Sequence, residues 1–351
     1  MLRVSLRHSA PDLDVAFEAP GGITALFGPS GAGKTSVLRA VAGLLTPDQG
    51  RIEAGALLFD KAAHVNLPPA RRRIGYVFQE PRLFPHLSVA QNLRYGVRFA
   101  APGSVPDEAL LVDLLGLGPL MARGIAGLSG GEAQRVAIGR AILSGARLLA
   151  LDEPMAALDA PRRAEIMTYL EALRDETGLP MLLVSHTLDE VIRLAATLVL
   201  MEGGRVRRAG PLADLLADPA LVPVFGVREA GALLHVVVAG RDADGLTRVQ
   251  SGAGPLWLPN PAPTGAVLRL RVRAADVTLA VARPEGLSAL NILPATVTRI
   301  LPDATGPGGT VLMECAGAAL MARVTSRSVT TLELAPGRSV WAVIKALSVA
   351  A

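Results

Sequence analysis

The run Gly28-Pro29-Ser30-Gly31-Ala32-Gly33-Lys34-Thr35 meets every fixed position of the G-x-x-x-x-G-K-[ST] phosphate-loop pattern. Gly31 and Gly33 let backbone N–H groups close on a β-phosphate at a helix N-terminus, where the dipole favours anions. Lys34 adds a mobile positive charge for the β- and γ-phosphates, and the Thr35 hydroxyl suits a place on Mg²⁺. Further along, Leu148-Leu149-Ala150-Leu151 runs into Asp152-Glu153. A buried strand ending in these acids partners a phosphate loop, the Asp for Mg²⁺ and the Glu to polarise water. Gln79 closes the apolar run Ile74-Gly75-Tyr76-Val77-Phe78, where it either caps the strand or reaches the metal or the attacking water. Met181-Leu182-Leu183-Val184-Ser185 is another buried strand, with His186 at its tip beside this set.

These groups need elements to hold them. Ile23–Phe27 reads as a buried strand before the loop, and Ser36–Ala42 as a helix after it that ends near Gly43. Ser129-Gly130-Gly131-Glu132 heads the helical run 133–143, with Ser129 as N-cap and Gly145 as the stop. Its glycine-rich start is a second anion site by geometry. Residues 2–27 read as short strands, with turns at Pro11 and Gly21-Gly22. Residues 104–123 read as helical, with Leu110, Leu111, Leu114, Leu115 and Leu117 on an apolar face. The apolar loop Leu83–Val89 is either a docking surface or a loop folded onto its own domain. No adenine-stacking aromatic stands out, and His8 is the candidate offered for that contact.

Composition narrows the classes. At 351 residues the chain suits two or three domains, and with half of it hydrophobic but 3% aromatic its cores are built from Ala, Leu and Val. The net charge of +4 is carried by arginine, since Lys34, Lys61 and Lys345 are the only lysines. No arginine stripe interleaves with aromatics, which argues against nucleic acid. The densest basic run, Arg71-Arg72-Arg73, reads as a solvated turn before a strand. Cys315 is a lone cysteine with no disulfide or metal company, so it reads as a core residue in a reducing compartment. No apolar stretch reaches a membrane-spanning length, and the N-terminus lacks a signal-peptide core, which makes a cytosolic protein the default.

Taken in order and spacing, the phosphate loop, Gln79, Leu128–Glu132, Asp152-Glu153, Leu158-Asp159 and His186 resemble the ATP-binding-cassette transporter ATPases over residues 1–225. The resemblance implies an α/β P-loop NTPase fold, a RecA-like core with a helical subdomain. It implies that ATP is bound by residues 28–35, that Mg²⁺ is held by Thr35, Gln79 and Asp152, and that Glu153 is the general base. His186 then joins the base to the γ-phosphate, and Gln79 with the loop Arg82–Leu87 senses a membrane subunit. Ser129, Gly130 and Gly131 complete the nucleotide site of a partner chain in a homodimer. Ala156 stands where the family usually has serine, and Thr187 where importers usually have aspartate.

The remainder turns to short strands, with Pro259, Pro261 and Pro263 as a connector. Residues 226–287 read as a β-rich regulatory linker and 288–351 as strand after strand. The latter is similar to the small molybdate-binding (Mop) β-barrel through Ser288-Ala289-Leu290-Asn291, Ala322–Ser328, Leu332-Glu333-Leu334 and Ile344-Lys345-Ala346. Leu290 replaces the family's arginine. The likeness implies an all-β, OB-like C-terminal regulatory region that takes an oxyanion such as molybdate on Ser288, Thr325, Ser328 and Lys345. It implies an ATPase subunit of a molybdate importer at the cytoplasmic face of the inner membrane, working with integral permease subunits and, indirectly, a periplasmic oxyanion-binding protein. Sulfate or ferric-iron import and a soluble, non-transport cassette ATPase are the alternatives.

Overall fold

Alternation makes the first hairpin: β1 (Leu2–Ser9) and β2 (Asp12–Ala19) bury every second residue over most of their length, the period of a strand covered on one face. By contrast β3 (Ile23–Phe27) is buried throughout, as a strand covered on both faces must be. The computed structural model describes residues 1–225, 231–303, 306–344 and 348–349. It divides into two units, Met1–Leu212 and Ala213–Ala351. After β3 the first unit continues with α1 (Lys34–Ala42), β4 (Gln49–Ala54), β5 (Leu57–Asp60), β6 (Val65–Asn66), α2 (Pro69–Arg72), β7 (Ile74–Val77), α3 (Val89–Arg94), α4 (Glu108–Leu114) and α5 (Gly130–Leu143). Then come β8 (Leu148–Asp152), α6 (Ala160–Thr177), β9 (Met181–Ser185), α7 (Leu188–Leu194), β10 (Thr197–Glu202) and β11 (Arg205–Pro211).

One 11-stranded sheet runs β6-β5-β4-β1-β2-β11-β10-β3-β9-β8-β7. Its segment β10-β3-β9-β8-β7 is parallel, and the β1–β2, β1–β4, β4–β5 and β5–β6 pairs are antiparallel. In a parallel sheet the loops beyond the carboxyl ends of neighbouring strands form the ligand crevice. Here those ends belong to β3, β9, β8 and β7, the strands that carry the phosphate loop, His186, Asp152-Glu153 and Gln79.

In the second unit α8 (Leu212–Leu216), which starts at the boundary, and α9 (Val222–Phe225) precede β12 (Gly231–Arg241), β13 (Thr247–Ser251), β14 (Gly254–Leu258), β15 (Val267–Arg273) and β16 (Val277–Ala280). They are followed by β17 (Asn291–Pro302), β18 (Gly308–Cys315), β19 (Ala318–Thr325), α10 (Ser326–Thr331), β20 (Ser339–Ile344) and β21 (Ser348–Val349). Two five-stranded sheets result, β14-β13-β12-β15-β21 and β16-β20-β17-β18-β19. Leu234, Val249 and Leu270 of the first sheet share one core with Val297, Val311 and Ile344 of the second. Asn291 clamps the sheets together: its Oδ1 accepts from the Trp257 N–H at 2.8 Å, and its Nδ2 donates to the Trp257 carbonyl at 3.1 Å. Residues 231–280 and 291–344 are thus packed on a common interior. Cys315 lies in it, fully buried, and burial pushes its thiol up to about 11.

Several local expectations need correction. Arg72 is not part of a solvated turn: it is 4% exposed and lies across the end of α1. Its guanidinium donates to the Ala40, Val41 and Leu67 carbonyls and to Asn66 Oδ1. The helix expected over 104–123 shrinks to α4, because Asp107 caps it at one end and Gly116 turns out at φ 57° beyond the other. Leu110 faces solvent while Leu111, Leu115 and Leu117 are buried. The tail is not strands alone, since Thr325 caps the short helix α10. The apolar loop after Gln79 is anchored to its own unit: Asn92, fully buried, accepts from the Phe84 N–H and donates to the Phe84, Leu87 and Ser88 carbonyls. Pro85 and His86 at its apex stay exposed.

Candidate active site

The phosphate loop leaves β3 at Gly28, whose φ is 155°. A Cβ there would lie 2.1 Å from the Met201 carbonyl oxygen on β10, so the close approach of loop to strand demands glycine. Gly31 and Gly33 also take positive φ, and Gly33 stands as N-cap of α1. Ala32 is buried under the loop, while Pro29, Ser30 and Gly31 are exposed along its rim. Lys34 is 5% exposed. Its ammonium donates to the Gly28 and Pro29 carbonyls at 2.8 and 2.9 Å, folding back over the loop it serves. Burial pulls this lysine below its ordinary range, and the Glu153 and Asp152 carboxylates oppose that shift.

Thr35 and Asp152 meet across 117 residues of chain: the Thr35 hydroxyl donates to Asp152 Oδ1 at 2.7 Å. The other carboxylate oxygen, Oδ2, accepts from the Tyr76 phenol at 2.7 Å. Burial, then the Asp152 bond, raises the Tyr76 phenol well above its usual range. It stays a donor. A hydroxyl beside one carboxylate is an oxygen-only donor set, which fits Mg²⁺ held through few protein ligands and the phosphates of its substrate. Glu153 follows at φ 46°, a left-handed turn that costs a non-glycine residue energy and swings its side chain out of the β8 line. Its N–H is held by the Val184 carbonyl at 3.2 Å. Glu153 Oε2 lies 3.2 Å from His186 Nδ1. Acid and imidazole, expected to act together, are in reach of each other.

Gln79 lies beyond the end of β7 in an exposed bend and hydrogen-bonds none of the residues above. Ser129 caps α5 through a capping box: its Oγ accepts from the Glu132 N–H at 3.3 Å and its N–H donates to Glu132 Oε2 at 2.7 Å. That box leaves the Ser129 O–H and the N–H groups of Gly130 and Gly131 free to donate. Among the described residues, no hydrogen bond or ion pair joins Ser129–Gly131 to the phosphate loop, Asp152, Glu153 or His186. His8 points to Asp48, with Nδ1 3.3 Å from Oδ2. In the second unit the Thr325 and Ser328 hydroxyls are 2.9 Å apart at the start of α10, whereas Ser288 is exposed in irregular chain and bonded to neither. Lys345 lies outside the described residues. Arg323 is committed to Asp303, both ends of the pair at 2.6 Å. Tyr76 was missed by motif reasoning; the signal available was a phenol inside a strand next to the one ending in Asp152, with Tyr76 opposite Ala150.

Comparison with known proteins gives the family and the fold. A family model described as ABC transporter matches residues 13–156, and one described as TOBE domain matches 287–351. The molybdenum import ATP-binding protein ModC of Mesorhizobium japonicum is 48% identical over 353 residues, covering 99% of this chain and 95% of that one. Its namesake in Rhizobium etli is 49% identical over 349 residues, covering 97% of each. The chain belongs to the ModC family. Its first unit has the ABC ATPase fold: a dimeric ATP-binding cassette solved in a post-hydrolysis state with ADP and Pi is 25% identical, with a TM-score of 0.51 over 60% of this chain and 99% of that one. In this ModC-family chain the phosphate-loop strand and the strands bearing Asp152, Glu153 and His186 are immediate neighbours in the sheet. The mainly β second unit contains the TOBE match.

Proposed function

We infer that the chain is the ATP-hydrolysing subunit that energises import of molybdate through a separate membrane permease. The observation carrying this reading is the match along nearly the whole chain to proteins named for molybdenum import. It favours molybdate over the sulfate and ferric-iron alternatives. No helix among the described residues is long and apolar enough to cross a membrane; the importer reading itself assigns the chain a peripheral place on the cytoplasmic face, against integral permease subunits. A periplasmic oxyanion-binding protein acts with it only through that permease.

The chemistry follows from the residues. Residues 28–35 wrap the phosphates of ATP with backbone N–H groups, and Lys34 exchanges its loop carbonyls for β- and γ-phosphate oxygens. Thr35 and Asp152 would hold Mg²⁺, with Gln79 closing on it from the β7 end; when bound, the ion offsets charge developing on the transferred phosphoryl group. Glu153 accepts a proton from the attacking water, and His186, 3.2 Å away, holds that carboxylate toward the γ-phosphate. The donors of Ser129, Gly130 and Gly131 are suited to an anion, and none of the three lies within their own unit's site. A two-fold homodimer supplies it, each α5 start facing its partner's ATP.

In the second unit the Thr325–Ser328 hydroxyl pair supports a regulatory oxyanion site, with Ser288 and Lys345 as further donors. Arg323 does not supply its positive charge, because Asp303 already neutralises it. The importer reading is tested by co-purifying the chain with its permease and measuring ATP hydrolysis with molybdate, tungstate or sulfate delivered from the periplasmic side. Stimulation by molybdate supports it; stimulation by sulfate alone refutes it. Calorimetry of the full chain with molybdate tests the regulatory site, and absence of heat at millimolar concentration reduces the second unit to a structural module.

A further inference from the structure

Glu190 is a buried acid that the hydrolytic scheme leaves unused. It sits in the first turn of α7 with 6% of its surface exposed. Burial pushes its carboxyl above the usual range, and the Ser185 hydroxyl and the Arg163 guanidinium pull it back down. Glu190 Oε2 accepts from Ser185 Oγ at 2.6 Å, and Oε1 lies 3.4 Å from Arg163 Nε. Each partner reaches on to backbone beside the active site. Ser185 Oγ accepts from the Thr187 N–H at 3.0 Å, bracketing His186. Arg163 Nη2 donates to the Leu158 carbonyl at 3.2 Å, in the segment that leaves Glu153. The Thr187 side chain does not cap α7, and Ala156 has no polar side chain to offer.

We propose that Glu190 is a positioning residue for hydrolysis: through Ser185 and Arg163 it fixes the tip of β9 against the segment after Glu153, and so sets the His186–Glu153 geometry. The proposal rests on the ATPase reading above. Steady-state ATP turnover and equilibrium ATP binding of the full chain test it, using Glu190→Gln, Glu190→Asp, Arg163→Met and the double variant Glu190→Gln/Arg163→Met. Glu190→Gln is the mildest change in shape, since it keeps the size and an acceptor for Ser185, but it leaves the buried Arg163 Nε without its carboxylate.

A displaced catalytic pair costs turnover before it costs binding, so kcat should fall about 10-fold in Glu190→Gln while KM stays within about twofold. Arg163→Met should fall alike. The double variant should lose no more than either single one, because all remove the same tie. Glu190→Asp should recover part of the loss. Parallel losses in ATP affinity, additive losses in the double variant, or a kcat that merely tracks the melting temperature would overturn the proposal. Unchanged kcat in Glu190→Gln beside an active wild type overturns it alone. A wild type no faster than Glu153→Gln overturns the ATPase reading with it.

Discussion

Replacing Arg72 by Met tests whether the helix behind the phosphate loop is tied down from its far end. Arg72 Nη1 donates to the Ala40 and Val41 carbonyls at 2.7 and 2.9 Å, Nε to Leu67 at 2.7 Å, and Nη2 to Asn66 Oδ1 at 2.9 Å. The first two acceptors belong to the last turn of α1, where carbonyls lack partners within the helix. Ala40 keeps the Gly43 N–H at 3.2 Å and Asn66 is exposed to water, so methionine strands chiefly the Val41 and Leu67 carbonyls. A buried acceptor left unmet costs about 1–3 kcal/mol. Against this, removing the guanidinium recovers the desolvation that holds its pKa below the arginine range. The balance is a loss of about 2–4 kcal/mol, or a fall of about 5–15 °C in the melting of a unit this size. Scanning calorimetry of the full chain reads it, in the transition that shifts when ATP is added. Arg71→Met is the control, since Arg71 is exposed and should change stability by less than about 0.5 kcal/mol. Equal, small shifts in both variants would show that Arg72 is solvated and the reasoning wrong.

Further outcomes follow from the same geometry. Gly28→Ala should destabilise the first unit by about 1–3 kcal/mol, because its Cβ meets the Met201 carbonyl oxygen at 2.1 Å; urea denaturation checks this, and no change would mean the loop is free to move away. Mixing Lys34→Ala chains with Ser129→Arg chains should restore hydrolysis in part, since each mixed dimer keeps one intact composite site; no recovery in verified mixed dimers counts against the arrangement. The Arg323 hydrogen bonds hold Asp303 below the usual carboxylate range. That pair therefore stabilises the second unit above about pH 4 and ceases to do so as pH falls through the depressed folded value. The stability gap between wild type and Asp303→Asn should accordingly close on acidification in urea melts, and a widening gap would reverse the sign.

The elements of the proposed chemistry were legible where they are encoded locally. The phosphate loop needs glycines and Lys34 within one turn of chain, α5 announces itself by Ser129 and Glu132, and strands buried on both faces, such as Ile23–Phe27, are continuous apolar runs. What the sequence hid depends on partners far along the chain. Arg72 looks like its exposed neighbour until the end of α1, about thirty residues back, supplies its acceptors. Tyr76, Arg163 and Glu190 belong to no pattern, because only the strand order β9-β8-β7 and the packing of α6 on α7 bring them beside the acids. The C-terminal hydroxyls split for the same reason: Thr325 and Ser328 lie within one turn of α10, while Ser288 joins them only if long-range packing brings it there.

The central claim is that Glu153, at the end of β8 and paired with His186, is the base for ATP hydrolysis. Its most direct test is single-turnover hydrolysis of MgATP by the full chain, wild type against Glu153→Gln, with ATP binding measured alongside. The glutamine keeps size and position but accepts no proton. The account predicts a fall in the hydrolytic rate of about 10²–10⁴-fold with ATP still bound, whereas Lys34→Ala loses the binding itself. A Glu153→Gln chain that hydrolyses ATP at close to the wild-type rate would contradict it.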